Sequence, residues 1–272
     1  MSEPSDFEIV ALGTVDSTNR VAAERGRPWQ VFTAEYQTAG RGRLDHRWLA
    51  PPGVNLAMSV VLPVGDRTLE ETATLPLTIG YAVLDALRGL SPSVFGGLSP
   101  DSGGLSPRPR LTLKWPNDIL IDGLKVAGIL CERHGDNVIA GIGVNVKARE
   151  FPSEIANTAT YLEKHWGTVP KTAGTVSTET AGTVPMVAEV RDAILEKIGE
   201  WFERTRTGGF AAVYGELVKV DQLRGQSLAV RQTDDDREPI RGVCGGILPD
   251  GSLDVGGRKV YAGEAHVMRE GK

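Results

Sequence analysis

The order of strand-like and helix-like segments predicts an α+β fold for this 272-residue chain. Strands are predicted where apolar and β-branched residues run together between turn residues. In order, these segments are Phe7–Val15, Val31–Glu35, Asn55–Leu62, Leu111–Trp115, Lys125–Arg133 and Asn137–Val146. Helical spacing of apolar residues occurs in Val21–Arg25, Leu75–Leu90 and Met186–Arg204. We expect these strands to form one mixed, mainly antiparallel sheet that carries the helices on one side.

The pattern changes after residue 220. Short strand-like segments there are separated by turn signals such as Pro249–Gly251 and Gly256–Gly257. Such spacing is typical of a small all-β domain. We therefore predict one domain over residues 1–220 and a partly open β barrel over residues 221–272.

Two low-complexity segments interrupt the first domain. Gly-Leu-Ser-Pro recurs within residues 89–110, and Gly-Thr-Val-Pro and close variants of it recur within residues 167–185. Segments of this composition bury little apolar surface, so we predict surface insertions.

Composition narrows the functional classes. The formal net charge is −5, which weighs against a nucleic-acid-binding protein without excluding a local basic patch. Cys131 and Cys244 lie far apart and the four histidines are scattered, so no metal-site spacing is present. The first residues lack the features of a signal peptide, and no apolar run approaches the roughly 20 residues of a membrane helix. A cytoplasmic protein is expected.

A glycine-rich stretch with two arginines, Gln37–Arg43, follows the second predicted strand. Its glycines have no Cβ, so the backbone can take unusual dihedral angles and a ligand can approach the N–H groups closely. Its guanidinium groups suit carboxylate or phosphate oxygens, and Trp48 offers a flat apolar surface. These residue types predict a site that holds an anion beside a planar group. The simpler interpretation is a solvated glycine-rich turn.

Three further clusters contain side chains suited to binding or catalysis. Asp16–Asn19 is either a helix N-cap or a group of hydrogen-bonding side chains in a site. In Lys114–Asp118 a proline stops the strand, which puts Asn117 and Asp118 on a rigid turn where sites often form. Lys125 begins an otherwise apolar strand, as either a solvated or a functional lysine.

In combination, and in this order, these clusters resemble the motifs of the biotin protein ligases. The motifs are Asp-Ser-Thr-Asn, Gln-Thr-Ala-Gly-Arg-Gly-Arg, Lys-Trp-Pro-Asn-Asp, Lys-Val-Ala-Gly-Ile-Leu and Gly-Ile-Gly-Val-Asn-Val, between Val10 and Val146. The resemblance implies a class II synthetase-like catalytic core over residues 1–220. It implies that the β barrel over residues 221–272 is SH3-like.

The resemblance also implies a two-step reaction. Biotin and ATP give biotinyl-5′-AMP and pyrophosphate, and a lysine on a biotin carboxyl carrier domain then attacks the acyl carbon and releases AMP. The carrier domain would belong to an acetyl-CoA, acyl-CoA or pyruvate carboxylase. The first step brings two anions together and needs fixed positive charge. Mg²⁺ is expected because the leaving pyrophosphate is highly charged, but the sequence does not identify its ligands.

Residue roles follow from the resemblance position by position. The implied catalytic residues are Lys125, Arg43 and Asp118, the last orienting the incoming lysine or Mg²⁺. The implied biotin-binding residues are Ser17, Thr18, Asn19, Gln37, Gly40, Arg41, Gly42, Arg43, Lys125 and Gly128. The implied ATP- and adenylate-binding residues are Arg43, Arg47, Trp48, Asn117, Lys125 and Asn145.

Other partners are constrained less directly. About 15 residues precede Asp16, too few for the helix-turn-helix domain that some family members carry, so we expect no DNA binding. No membrane partner is expected, and a homodimer is left open.

Three alternatives are kept. A lipoate–protein ligase would share the core and the adenylate chemistry, although its motifs differ from the two most specific ones here. A non-catalytic nucleotide- or RNA-binding module would use the arginines for phosphate and the terminal barrel for single strands. A degenerate ligase would bind biotin without turnover.

The glycine–arginine motif departs from the family pattern Gly-Arg-Gly-Arg-x-Gly-Arg-x-Trp. Asp45 stands in place of the third glycine and His46 in place of the third arginine. A histidine is not a permanent cation as an arginine is, so we do not expect His46 to keep the phosphate contact of that arginine. We predict that Arg47 partly substitutes for it.

This prediction is tested by comparing Arg47→Ala with His46→Ala. We expect Arg47→Ala to raise the KM for ATP about tenfold, the effect of one charge-assisted contact. His46→Ala should change it less than twofold. A weakening of ATP use by the histidine change alone contradicts the prediction.

Overall fold

The computed structural model describes residues 7–43, 46–90, 109–166, 186–232 and 238–268. Its strands are β1 (Glu8–Val15), β2 (Gln30–Gln37), β3 (Asn55–Pro63), β4 (Leu111–Lys114), β5 (Asp118–Ile121), β6 (Leu124–His134), β7 (Asn137–Asn145), β8 (Ser227–Arg231), β9 (Ile240–Ile247), β10 (Leu253–Val255), β11 (Arg258–Val260) and β12 (Glu264–Val267). Its helices are α1 (Thr18–Arg25), α2 (Leu69–Ala73), α3 (Leu75–Leu90), α4 (Leu162–Trp166), α5 (Val187–Gly208) and α6 (Ala211–Val220). None of the helices in these ranges combines the length and the apolar character needed to cross a membrane.

The first seven strands form one sheet in the order β1-β2-β3-β7-β6-β5-β4. Only β1 and β2 run parallel, and every other neighbouring pair is antiparallel. The predicted α+β class with a mainly antiparallel sheet is confirmed. The long central strands β3, β6 and β7 pair over most of their length, which gives the sheet a rigid middle.

Helices cover both faces of this sheet, so the prediction that they lie on one side was wrong. On one face α1 packs against Phe32, Val61 and Ile139. On the other face α3 and α5 belong to the main core together with Val31 and Val60. Adjacent residues of a strand point to opposite faces, and here both are apolar and buried. A strand with two apolar faces requires cover on both sides.

The structure contains elements that the sequence patterns did not reveal, namely β5, β12 and the helices α2, α4 and α6. Asp118, expected on a turn, instead begins β5 and pairs with Lys114 and Gly128. The three apolar residues after Asp118 pair with both neighbouring strands, so the chain resumes extended structure directly after the proline turn. The predicted turn at Asp122 and Gly123 is present, and both residues have positive φ.

The C-terminal strands form a second, antiparallel sheet in the order β11-β10-β9-β8-β12. This order is open, with β11 and β12 at its two ends, so barrel closure is not established. Apolar side chains of this sheet, including Leu228, Val230 and Leu253, belong to the same buried cluster as the first sheet. The two sheets therefore share one hydrophobic core.

The segment that enters the second sheet also covers the edge of the first. Gln222 N donates to Leu113 O at 2.9 Å, and Trp115 Nε1 donates to Gly251 O at 3.1 Å. The buried carboxylate of Asp221 accepts from the backbone N–H groups of Leu223 (2.9 Å) and Ile247 (3.0 Å). The bond from Gln222 occupies a backbone carbonyl of edge strand β4 that would otherwise be unpaired, and the other three attach the second sheet beside it.

The two low-complexity segments fall mainly outside the described residues. Only Gly89 and Leu90 of the first repeat are described, and they form the last turn of α3. Residues 91–108 of the first predicted insertion (89–110) and all of the second (167–185) lie outside the described ranges.

Asp221 provides a test of how the second sheet is attached. Its side chain is 7% exposed, and Asp221→Ala leaves two backbone N–H groups without their acceptor. We expect the free energy of unfolding to fall by about 2–4 kcal/mol, since an unsatisfied buried donor costs about 1–3 kcal/mol. Urea denaturation followed by circular dichroism measures it. Asp192→Ala, an exposed carboxylate, is the control, and an equal effect of both changes contradicts the account.

Candidate active site

A cavity of about 610 Å³ opens on the face of the first sheet that carries α1. It is bordered by the start of α1, the glycine–arginine stretch, β5, β6, β7, the loop after β7, and residues 263–266 of the second sheet. Most of the residues implicated from the sequence line it: Ser17, Thr18, Asn19, Gln37, Arg41, Gly42, Arg43, Arg47, Trp48, Asn117, Asp118, Lys125, Gly128 and Asn145. Gly40 lines an adjoining depression, together with Arg41, Gly42, Arg43 and Arg47.

Three glycines on adjacent strands leave part of the sheet without side chains on this face. We call Gly128, Gly141 and Gly143 the glycine strip. A Cβ at Gly141 would lie closer than 3.0 Å to the Asn19 amide, and one at Gly143 equally close to the Trp48 ring, which real Cβ atoms essentially never show. The strip therefore allows side chains of α1 and of the glycine–arginine loop to lie directly on the backbone.

Hydrogen-bonding groups lie at the start of α1. The Thr18 backbone N–H and hydroxyl donate to Gln37 Oε1 at 2.8 and 3.1 Å. Ser17 occupies the N-cap position, but its side chain makes no capping hydrogen bond, and its N–H donates to Asp16 Oδ1 at 2.7 Å. The two interpretations of this cluster are thus compatible, because Ser17 occupies the N-cap position of the helix and also lines the cavity.

The contacts of Asn19 go to protein groups. Its Nδ2 donates to Glu132 Oε2 at 2.8 Å, and its Oδ1 lies 2.6 Å from Ser59 Oγ. Glu132 also pairs with Arg41 Nη1 at 3.0 Å. Sequence reasoning missed Ser59 and Glu132, since each looks like an ordinary polar residue within a strand.

Two cations of the cavity, Lys125 and Arg43, lie near carboxylates. Lys125 Nζ lies 2.7 Å from Asp118 Oδ1 and 6.0 Å from the centroid of the Trp48 ring. Burial lowers the pKa of Arg43, opposed by the negative charges of Asp118 and Glu264. An arginine stays protonated despite such a shift, so Arg43 is a partly desolvated positive charge.

The two asparagines implicated in nucleotide binding are anchored to the backbone. Asn117 Nδ2 donates to Ile129 O at 2.7 Å. Asn145 Nδ2 donates to Thr160 O at 3.0 Å, and Asn145 Oδ1 accepts from Asn55 Nδ2 at 2.9 Å. Their orientation is therefore set by protein contacts, and their contacts with a nucleotide stay predictions.

The glycine–arginine loop folds back on itself. Trp48 N donates to Gly40 O at 3.0 Å, and Gly42 N donates to His46 O at 2.6 Å. Neither glycine has a positive φ. A Cβ at Gly40 would collide with Trp48 O, so this glycine is needed for close approach and not for unusual dihedral angles.

Of the residues at which the glycine–arginine motif departs from the family pattern, the structure describes His46 but not Asp45. Residues 44 and 45 lie outside the described ranges. Arg47 lines the cavity, and its Nη2 donates to Thr38 O at 3.1 Å. His46 Nε2 lies 3.6 Å from Glu264 Oε1. The predicted substitution by Arg47 stays a prediction.

Other residues line the cavity although no sequence motif marked them as candidates for the site. Arg149 stacks at 4.4 Å on the Phe151 ring, and burial lowers its pKa. The loop that carries it is tied to Lys125, because Lys125 N donates to Thr158 O and Thr160 N donates to Lys125 O, both at 2.8 Å. Glu264 and His266 reach the same cavity from β12, which a division into independent domains could not anticipate.

Comparison with known proteins identifies the class. Residues 14–148 match the model of the biotin/lipoate A/B protein ligase family. The biotin–[acetyl-CoA-carboxylase] ligase of Mycobacterium tuberculosis is 30% identical over 240 residues, which cover 88% of this chain and 78% of that protein. The biotin protein ligase from Aquifex aeolicus, solved in complex with biotin and ATP, superposes with a TM-score of 0.74 at 26% identity, covering 97% of this chain and 99% of that one.

The bifunctional ligase/repressor BirA of Bacillus spizizenii is 31% identical over 177 residues. That match covers 62% of this chain and 49% of the Bacillus protein, so the chain spans about half of that relative's length. The chain belongs to the biotin protein ligases of the biotin/lipoate A/B protein ligase family.

Proposed function

We propose that this chain is an ATP-dependent ligase that forms biotinyl-5′-AMP and transfers the biotin to a lysine of a biotin carboxyl carrier domain. The observation that supports this most directly is the composition of one cavity. It combines the hydrogen-bonding groups of Thr18 and Gln37 with the cations of Lys125 and Arg43 and the ring of Trp48.

The proposed first step is attack of a biotin carboxylate oxygen on the α-phosphorus of ATP. A new O–P bond forms as the bond to pyrophosphate breaks. Both reactants are anionic, so fixed cations must offset their repulsion. Lys125 and Arg43 supply these charges, and the ion pair with Asp118 holds the ammonium in place before substrate arrives.

The proposed biotin site combines polar and apolar parts. The ureido ring would hydrogen-bond near Thr18 and Gln37, whose positions are set by their mutual bonds. Leu130 and the glycine strip border the same cavity, and they would contact the sulfur-containing ring and the alkyl chain. The carboxylate would then extend toward Lys125.

The proposed second step transfers the acyl group. The neutral amine of the carrier lysine attacks the acyl carbon, the bond to the phosphate oxygen breaks, and AMP leaves. The amine must lose a proton, and Asp118, which is paired with Lys125, is the carboxylate that we propose orients it or accepts that proton. Its side chain is 19% exposed, which leaves access from solvent.

Mg²⁺ is proposed as a companion of the triphosphate. The described residues contain no group of three or more His, Cys, Asp or Glu side chains that could hold a metal ion by themselves. This donor set fits an ion that arrives on phosphate oxygens and meets a single carboxylate, as Mg²⁺ often does. Asp118 is the proposed carboxylate, and bound Mg²⁺ would neutralise charge on the leaving pyrophosphate.

The second sheet is proposed to be an SH3-like domain that begins after residue 220. Gly263, Glu264 and His266 line the cavity, so this domain would complete the site. Its proximity to Asp118 also suits contact with the acceptor, for which we propose the carrier domain of an acetyl-CoA, acyl-CoA or pyruvate carboxylase.

The proposal predicts biotin-dependent exchange of pyrophosphate into ATP. Lys125→Ala removes a cation at the reacting groups, and we expect the exchange rate to fall at least about 100-fold, the usual effect of losing one such stabilising group. The control is Lys147→Ala, which changes an exposed lysine in the loop after β7. Its exchange rate should stay within twofold of wild type.

The same assay separates the alternatives. Lipoate in place of biotin should give no exchange, and exchange with lipoate alone would replace the proposal with lipoate ligation. Biotin binding without exchange would indicate a degenerate ligase. Salt-dependent RNA binding without biotin binding would indicate the non-catalytic module.

A further inference from the structure

Glu132 joins three separate parts of the proposed biotin site without lining the cavity. It lies on β6, and its two carboxylate oxygens have different partners. Oε1 pairs with Arg41 of the glycine–arginine loop at 3.0 Å, and Oε2 accepts from Asn19 of α1 at 2.8 Å. One side chain thus connects β6, α1 and the loop.

The charge of Glu132 determines the direction of the hydrogen bonds beyond it. An ionised carboxylate can only accept, so the NH₂ group of Asn19 must face Glu132 and its oxygen must face Ser59. Asn19 Oδ1 lies 2.6 Å from Ser59 Oγ and can only accept, so Ser59 is the donor of this contact.

These contacts continue to Thr18, which lines the cavity. Ser59 Oγ and Thr18 Oγ1 are 2.7 Å apart, a hydrogen-bond distance. The Thr18 hydroxyl donates to Gln37 Oε1 at 3.1 Å. Thr18 Oγ1 is therefore held between Ser59 and Gln37 at the wall of the cavity.

Glu132 also separates the roles of the two arginines. The guanidinium of Arg41, 56% exposed, is paired with Glu132, whereas that of Arg43 is partly desolvated near Asp118. Arg41 is thereby linked to β6, while Arg43 stays available to a ligand.

We propose that Glu132 is a positioning residue for biotin. Its carboxylate holds Arg41 and, through Asn19 and Ser59, fixes the position of Thr18 Oγ1 at the ureido ring. This inference rests on the proposed function. It assigns Glu132 to binding of the biotin ring and not to the reacting groups.

The test exchanges the carboxylate and the amide. Glu132→Gln turns an NH₂ group toward Asn19 or Arg41, where only an acceptor fits. Asn19→Asp places a second carboxylate against Glu132. Each single change therefore breaks the chain of hydrogen bonds. In the double variant, the amide now at position 132 donates to the carboxylate now at position 19 and accepts from Arg41. That carboxylate in turn accepts from Ser59, so every bond to Arg41 and Ser59 keeps its direction.

In pyrophosphate exchange we expect each single variant to raise the KM for biotin about tenfold, which is roughly the effect of one charge-assisted hydrogen bond. The value of kcat should stay within about threefold of wild type. The double variant should return to within about threefold of wild type. Glu24→Gln, which removes an exposed carboxylate paired with Arg20 on α1, should match wild type. The melting temperatures of the ligand-free variants should follow the same order.

Two outcomes overturn the inference: a KM for biotin in Glu132→Gln within twofold of wild type, or a double variant no better than the worse single one. Wild-type protein without biotin-dependent exchange is a separate result, which contradicts the proposed function. In that case a double variant whose melting temperature recovers supports the hydrogen-bond chain, and one that does not recover overturns it.

Discussion

The candidate site depends on the bare backbone of the glycine strip. The Asn19 amide, the Trp48 ring and the Lys125 side chain all lie close to positions where any other residue would place a Cβ. A side chain on Gly141 or Gly143 would push these groups out of the cavity. The polar groups of α1, the ring from the loop and the cation from β6 can therefore converge only because the strands beneath them carry no side chains there.

The second sheet is part of the same structural unit. Trp115, in the turn that leads to Asn117 and Asp118, donates to the backbone of Gly251 in that sheet. From the other side, Glu264 contributes negative charge near Arg43. The second sheet therefore contributes to the site in two ways. It supports the turn before Asp118 through Gly251, and it places the negative charge of Glu264 near Arg43.

Much of the first sheet and its helices could be predicted from the sequence, because the long strands and helices have clear apolar patterns. Short elements such as β5 could not be predicted, because four residues beside a proline turn give too little periodicity. The placement of α1 on the opposite face was missed because a helix of eight residues gives a weak pattern, and strands apolar on both sides do not indicate which helix covers which face.

The site shows the same division. The motifs identified Thr18, Gln37 and Lys125, whose residue types suggest chemistry at their positions in the chain. Glu132 and Ser59 could not be found this way, because their importance arises from contacts between segments distant in sequence. Their partners become visible only once β3 and β6 are placed beside α1.

The central claim is that biotin binds over the glycine strip, between α1 and Trp48. The most direct measurement is calorimetric titration of biotin into wild type, Gly143→Ala and Gly13→Ala. A Cβ at Gly143 would displace the Trp48 ring, whereas one at Gly13 meets nothing within 4 Å. The account predicts equal affinity for wild type and Gly13→Ala, and binding at least about tenfold weaker for Gly143→Ala, since overpacking of this kind costs about 1–3 kcal/mol. Equal affinity for all three proteins would contradict it.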